Sequence, residues 1–96
     1  MADLLSDYRD LVGRYVDGAI SAAALQSAYI DRFKAEERPM SEDEYQLLDT
    51  FFAELDCYTE DRELLASDPD FYLDEAALRQ RAERFLARSA ELRGNG

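Results

Sequence analysis

The sequence predicts an all-α fold, an antiparallel four-helix bundle with a longer acidic connection between its third and fourth helices. Three observations carry that expectation. Apolar residues recur at three- and four-residue spacing in four stretches, capping residues bound those stretches, and strand signals are missing. Little apolar–polar alternation occurs, and no Asn-Gly or Asp-Gly turn joins alternating segments. With 96 residues, 47% of them hydrophobic, the chain is sized for one domain over 1–96 with a modest core.

The first helix reads Leu4, Leu5, Tyr8, Leu11, Val12, Tyr15 and Val16 as its apolar series, with Asp3 as N-cap and Gly18 as C-terminal stop. The second starts at Ser21, with Ile20 and Leu25 in hydrophobic-staple positions. It should turn Leu25, Ala28, Tyr29 and Phe33 inward and fade before Pro39. The third start is the clearest, because Ser41 and Glu44 form a capping box and Met40 and Tyr45 a staple. Its expected buried stripe is Tyr45, Leu48, Phe52 and Leu55, widened by Leu47 and Phe51. The fourth begins at Asp74, between Leu73 and Leu78, with acidic Glu75 favourable in the first turn. Leu78, Ala82, Phe85, Leu86 and Leu92 continue inward to a stop at Gly94, leaving 94–96 frayed.

The long connection falls at residues 59–73. Asp61-Arg62-Glu63-Leu64-Leu65 suits a short helical turn, which Ser67-Asp68-Pro69 should end. This connection lies within residues 54–75, where nine acids face only Arg62, a net charge of −8 out of the chain's −11. A solvated helix face usually mixes both signs, because self-repulsion costs stability. A one-signed patch interleaved with Tyr58, Phe71 and Tyr72 is therefore a candidate docking surface for something basic. Glu42, Asp49 and Asp56 recur every seven residues along one side of the third helix and lead into it. Asp68 and Asp70 read as turn residues and Asp74 as a cap, which narrows the candidate surface to Asp56, Tyr58, Glu60, Asp61 and Glu63. Tyr58 fits equally as an extension of the Leu47–Phe51 core row or as an amphipathic interface anchor. Phe71 and Tyr72 are expected to fold the connection back onto the bundle. Arg79, Arg81, Arg84 and Arg88 are expected to pair with acids of neighbouring helices.

Much chemistry is excluded by composition. The chain has no histidine, hence no Ser–His or Cys–His nucleophile pair, no histidine phosphotransfer site and no Glu-x-x-His dinuclear metal site. No Gly-rich phosphate loop occurs. Asp68-x-Asp70-x-x-x-Asp74-Glu75 lacks the turn glycine and the distal glutamate of an EF-hand. The reading is therefore not an enzyme, with no catalytic residue, metal or cofactor and no small-molecule substrate. A pI near 4.2 opposes direct nucleic-acid binding and anionic membrane surfaces. No apolar run approaches the roughly 20 residues of a membrane span, and MADLLSDYRD lacks the features of a secretory signal. Cys57 is the only cysteine, which excludes a disulfide within the chain and fits a reducing cytoplasm.

Several runs are also familiar in combination. They are Gly18-Ala19-Ile20-Ser21-Ala22 with Tyr29 and Phe33, then Leu48-x-x-Phe51-Phe52-x-x-x-Asp56-x-Tyr58-x-x-Asp61-x-Glu63-Leu64, and finally Leu73-Asp74-Glu75-x-x-Leu78-Arg79. In these the chain resembles the colicin D-type immunity proteins of the bacterial self-protective colicin-like immunity family, over residues 5–92. The resemblance implies a small four-helix antitoxin that binds the basic nuclease domain of a cognate toxin. The toxin of the type member cleaves the anticodon loop of particular transfer RNAs, and the immunity protein fills its cleft with carboxylates standing where RNA phosphates would lie. The matching positions are Asp56, Tyr58, Asp61 and Glu63, with Glu60 added by proximity.

Two other classes compete. One is an acidic regulatory bundle that binds a basic peptide or a DNA-binding protein. A neighbouring gene for a large secreted protein with a basic C-terminal domain favours the antitoxin, and a transcription-factor neighbour favours the regulator. The other is a small metal- or ligand-binding bundle, which a thermal melt unchanged by calcium, magnesium or zinc would remove.

Overall fold

Five helices follow one another: α1 (Leu4–Val16), α2 (Ala22–Ala35), α3 (Glu42–Asp56), α4 (Arg62–Ser67) and α5 (Glu75–Gly94). The computed structural model describes residues 4–94, so the expected cap at Asp3 and the last residues of the tail lie outside the described residues. The expected count of four is corrected to five, because the turn foreseen in the long connection is a six-residue helix.

Helix boundaries follow local capping chemistry. Gly18 adopts φ +85°, which disfavours an L side chain, and its N–H donates to Tyr15 O at 3.0 Å to close α1. Ser21 Oγ accepts from Ala24 N at 3.1 Å and opens α2. Ser41 and Glu44 exchange the reciprocal bonds of a capping box, at 3.1 and 2.8 Å. Asp74 Oδ1 accepts from Ala77 N at 2.8 Å and opens α5.

α1 and α3 each pack against both α2 and α5. Neighbouring long helices run in opposite directions. Tyr8 in α1 reaches Glu36 just beyond the end of α2, and Arg79 near the start of α5 donates to Val16 O at the end of α1. At the centre, each long helix contributes one aromatic ring. The Tyr29 centroid lies 5.2 Å from Tyr8, 5.2 Å from Phe51 and 6.2 Å from Phe85, all edge-on, as ring quadrupoles prefer. The fully buried Tyr29 hydroxyl donates to Leu48 O at 2.8 Å, so the hub leaves no polar atom of that ring unsatisfied.

Two packing expectations are corrected, and one buried residue is unforeseen. In α3 the buried positions are Leu48, Phe51 and Leu55, while Phe52 is partly buried and Tyr45 is 51% exposed. Phe51 prevails because it meets both Tyr29 and, at 5.1 Å, Phe85 of α5. Phe52 and Tyr45 instead lean on Phe33 at the α2 edge. In α2, Ala28 is exposed, and Ala22 joins Leu25 and Tyr29 inside. Ser89 is buried without having been foreseen as core; its Oγ accepts from Arg9 Nε at 2.8 Å and donates to Leu86 O at 2.9 Å, fastening α1 to α5.

Candidate protein-docking surface

Where α3 ends, the Cys57 N–H turns back onto the carbonyls of Ala53 and Glu54, both at 3.2 Å. Gln26 of α2 secures this end: its Nε2 donates to Leu55 O at 2.7 Å, which also accepts from Tyr58 N at 3.1 Å, and to Tyr58 O, just beyond the helix, at 3.4 Å. The chain then departs from the bundle and returns at Leu73. The outgoing and returning strands touch in an isolated bridge, with Leu73 N donating to Cys57 O at 2.9 Å and Thr59 N to Leu73 O at 3.1 Å. The acidic connection is thus a loop clamped at its neck.

Inside the loop, carboxylates organise the backbone. Asp61 Oδ1 accepts from Glu63 N at 2.9 Å and Leu64 N at 3.4 Å, capping α4, while Thr59 Oγ1 accepts from Asp61 N at 3.1 Å. Asp68 ends the excursion: its carbonyl accepts from Phe71 N and Tyr72 N, and its side chain also accepts from Phe71 N. Asp68 and Asp74 therefore have the turn and cap roles read from the sequence. Asp61 has a cap role as well, one that the sequence reading did not give it.

Of the five predicted surface residues, Asp56, Glu60, Asp61 and Glu63 are exposed. Tyr58 is 7% exposed and joins the core cluster, which decides between its two readings in favour of the core. Only its hydroxyl reaches the rim, donating to Glu60 Oε1 at 3.0 Å. Burial, then that bond and the Glu60 charge, push the phenol above its ordinary pKa, so it stays a donor near neutral pH.

Most of the arginine pairing lies away from these acids. Arg38 forks onto Glu36 and bonds Asp7 at 2.9 Å, and Arg32 lies 3.8 Å from Asp7, all at the opposite end of the bundle. Arg14 pairs with Asp10 along α1. Among the described residues of α5, only Arg81 meets an acid, Glu54 at 3.1 Å, while Arg79 is spent on Val16 O and the Tyr15 ring. Arg84 and Arg88 form no ion pair among the described residues, contrary to expectation. Likewise none of Asp56, Glu60, Asp61 and Glu63 has an ion-pair partner among them. Glu54 is the exception in the acidic segment: half-buried, its carboxyl is pushed above the usual range by burial, against the opposing pull of Arg81.

Two exposed apolar side chains were missed. Phe71 is 55% exposed and Leu64 39%, so the expectation that Phe71 folds onto the bundle is corrected, while Tyr72 is half-buried. The Asp68 turn holds the Phe71 backbone, and its ring meets Tyr72 edge-on at 4.9 Å. Hydrophobicity alone reads such a residue as internal. Its place directly after an Asp-Pro-Asp turn is the available sequence signal that it sits on a loop surface.

Among the described residues there is no cluster of three or more His, Cys, Asp or Glu side chains that would hold a metal ion, and no helix is long and apolar enough to cross a membrane. Residues 4–89 match the family model described as bacterial self-protective colicin-like immunity. No curated protein and no solved structure gives a significant match.

Proposed function

The chain belongs to the bacterial self-protective colicin-like immunity family, and we propose that it neutralises the nuclease domain of a cognate toxin by covering a basic active-site cleft with its acidic loop. The observation that carries this reading is the set of exposed carboxylates without ion-pair partners among the described residues: Asp56 at the end of α3, and Glu60, Asp61 and Glu63 on the loop clamped at its neck. An RNA-cleaving cleft must be cationic to hold phosphates, and carboxylates at similar spacing compete for the same lysines and arginines. The chain's net charge of −11 steers it to such a cleft quickly, which suits an inhibitor that must act before the toxin cuts.

The mechanism is occlusion. The carboxylates on the loop meet the cationic groups, while the bundle behind them blocks substrate entry. Because Asp61 is already bonded to two backbone N–H groups and Glu60 is held by Tyr58, these two carboxylates need little further ordering on binding. The place of action is the cytoplasm, where the RNA substrates lie. This chain supplies binding and no chemistry.

Pull-down from the native strain tests the proposal. Co-purification of a basic nuclease domain, with nanomolar affinity that weakens at high salt, is the expected result. Persistent growth arrest when the neighbouring toxin is co-expressed with this chain would sink the pairing.

A further inference from the structure

At the neck of the acidic loop, Ala53, Cys57, Phe71 and Leu73 line an open groove of about 200 Å³, with the Glu54–Arg81 ion pair along one wall. Sites for drug-sized ligands start at roughly 300 Å³, so this space suits a single side chain. Phe71 forms one wall while leaving more than half its surface in water. It is not a loose loop tip, because the Asp68 turn, the Tyr72 ring and the neck bonds of Leu73 fix it in place.

We propose that this groove is the apolar half of the docking surface, receiving one bulky aliphatic or aromatic side chain that the nuclease domain presents beside its lysines and arginines. The proposal rests on the reading that the partner is a basic nuclease domain. Charge selects that occupant. A second copy of this chain carries the same −11 and is repelled, and the −8 of residues 54–75 disfavours any partner without compensating cations. An apolar anchor ringed by polar groups is also the usual arrangement of an interface hot spot. The two halves contribute differently: the acids accelerate encounter and set the salt dependence, whereas the groove slows dissociation.

The test uses the inactivated nuclease domain of the cognate toxin as probe, with rates followed by surface plasmon resonance. Phe71→Ala should weaken binding roughly 30-fold, almost wholly through faster dissociation, with the salt dependence unchanged. Phe71→Leu should recover most of the loss. Because Phe71 is exposed, both variants should melt with the parent. Cys57, the only thiol and a lining residue, reports occupancy directly: the complex should slow its alkylation by N-ethylmaleimide at least tenfold. If a salt-sensitive complex forms but Phe71→Ala binds like the parent and Cys57 reacts at its free rate, the groove is empty and this proposal falls alone. If no basic nuclease domain binds the chain, both readings fall.

Discussion

The Tyr58 hydroxyl donates to the Glu60 carboxylate at 3.0 Å, joining a ring of the buried core to a charge on the acidic loop. Ring and hydroxyl have separable roles. Packing of the ring holds the neck in place, and the hydroxyl limits the positions Glu60 can take.

Tyr58→Phe should therefore keep the fold and cost only about 1 kcal/mol, the net worth of one hydrogen bond. Release of Glu60 should weaken toxin binding a few-fold. Tyr58→Ala should cost about 3 kcal/mol or more, as truncated buried aromatics do. Urea denaturation and titration calorimetry on the two variants separate these effects.

Asp61 combines a charge with a helix cap, and two substitutions divide them. Asp61→Asn retains a good cap and removes the charge, so α4 should persist while affinity falls and its salt dependence flattens. Asp61→Ala removes both, adding a cap loss of about 1 kcal/mol. Backbone amide exchange in residues 62–67 should accelerate in Asp61→Ala and stay near the parent rate in Asp61→Asn.

Glu36 carries a predicted acid sensitivity. Hydrogen bonds from Arg38, opposed by burial and aided by Tyr8, hold its carboxyl at about 2, below its ordinary value of 4.5. The folded protein thus holds this proton more weakly than the unfolded chain. The associated stability is complete above about pH 4.5 and is lost as pH falls through about 2. The melting-temperature gap between the parent and Glu36→Gln should be constant above pH 5 and shrink steadily between pH 4.5 and 2. A gap that widens on acidification would contradict the assignment.

Helix starts were legible because capping is local: Ser21, Ser41 with Glu44, and Asp74 find their N–H partners within three residues. The buried face of α3 was not. Adjacent apolar pairs at Leu47-Leu48 and Phe51-Phe52 support two stripes, and Phe85, far away in sequence, selects between them. The neck of the acidic loop has no local signature, since its bonds join Cys57 and Thr59 to Leu73 only after closure. Composition located the acidic segment, but which of its acids are paired depends on the fold: Glu54 meets Arg81, whereas Arg38 is held by Glu36 and Asp7 at the opposite end.

The role of the acidic loop is tested most directly by one variant, Asp56→Asn, Glu60→Gln, Asp61→Asn and Glu63→Gln combined. Its affinity for the inactivated nuclease domain is measured across a salt series. The variant should melt no lower than the parent, because self-repulsion is relieved. Its low-salt affinity should drop by about 100-fold or more, given the worth of close interfacial charge pairs, and the salt dependence should nearly vanish. Parental affinity with an undiminished salt dependence would contradict the assignment of the toxin-binding surface to this loop.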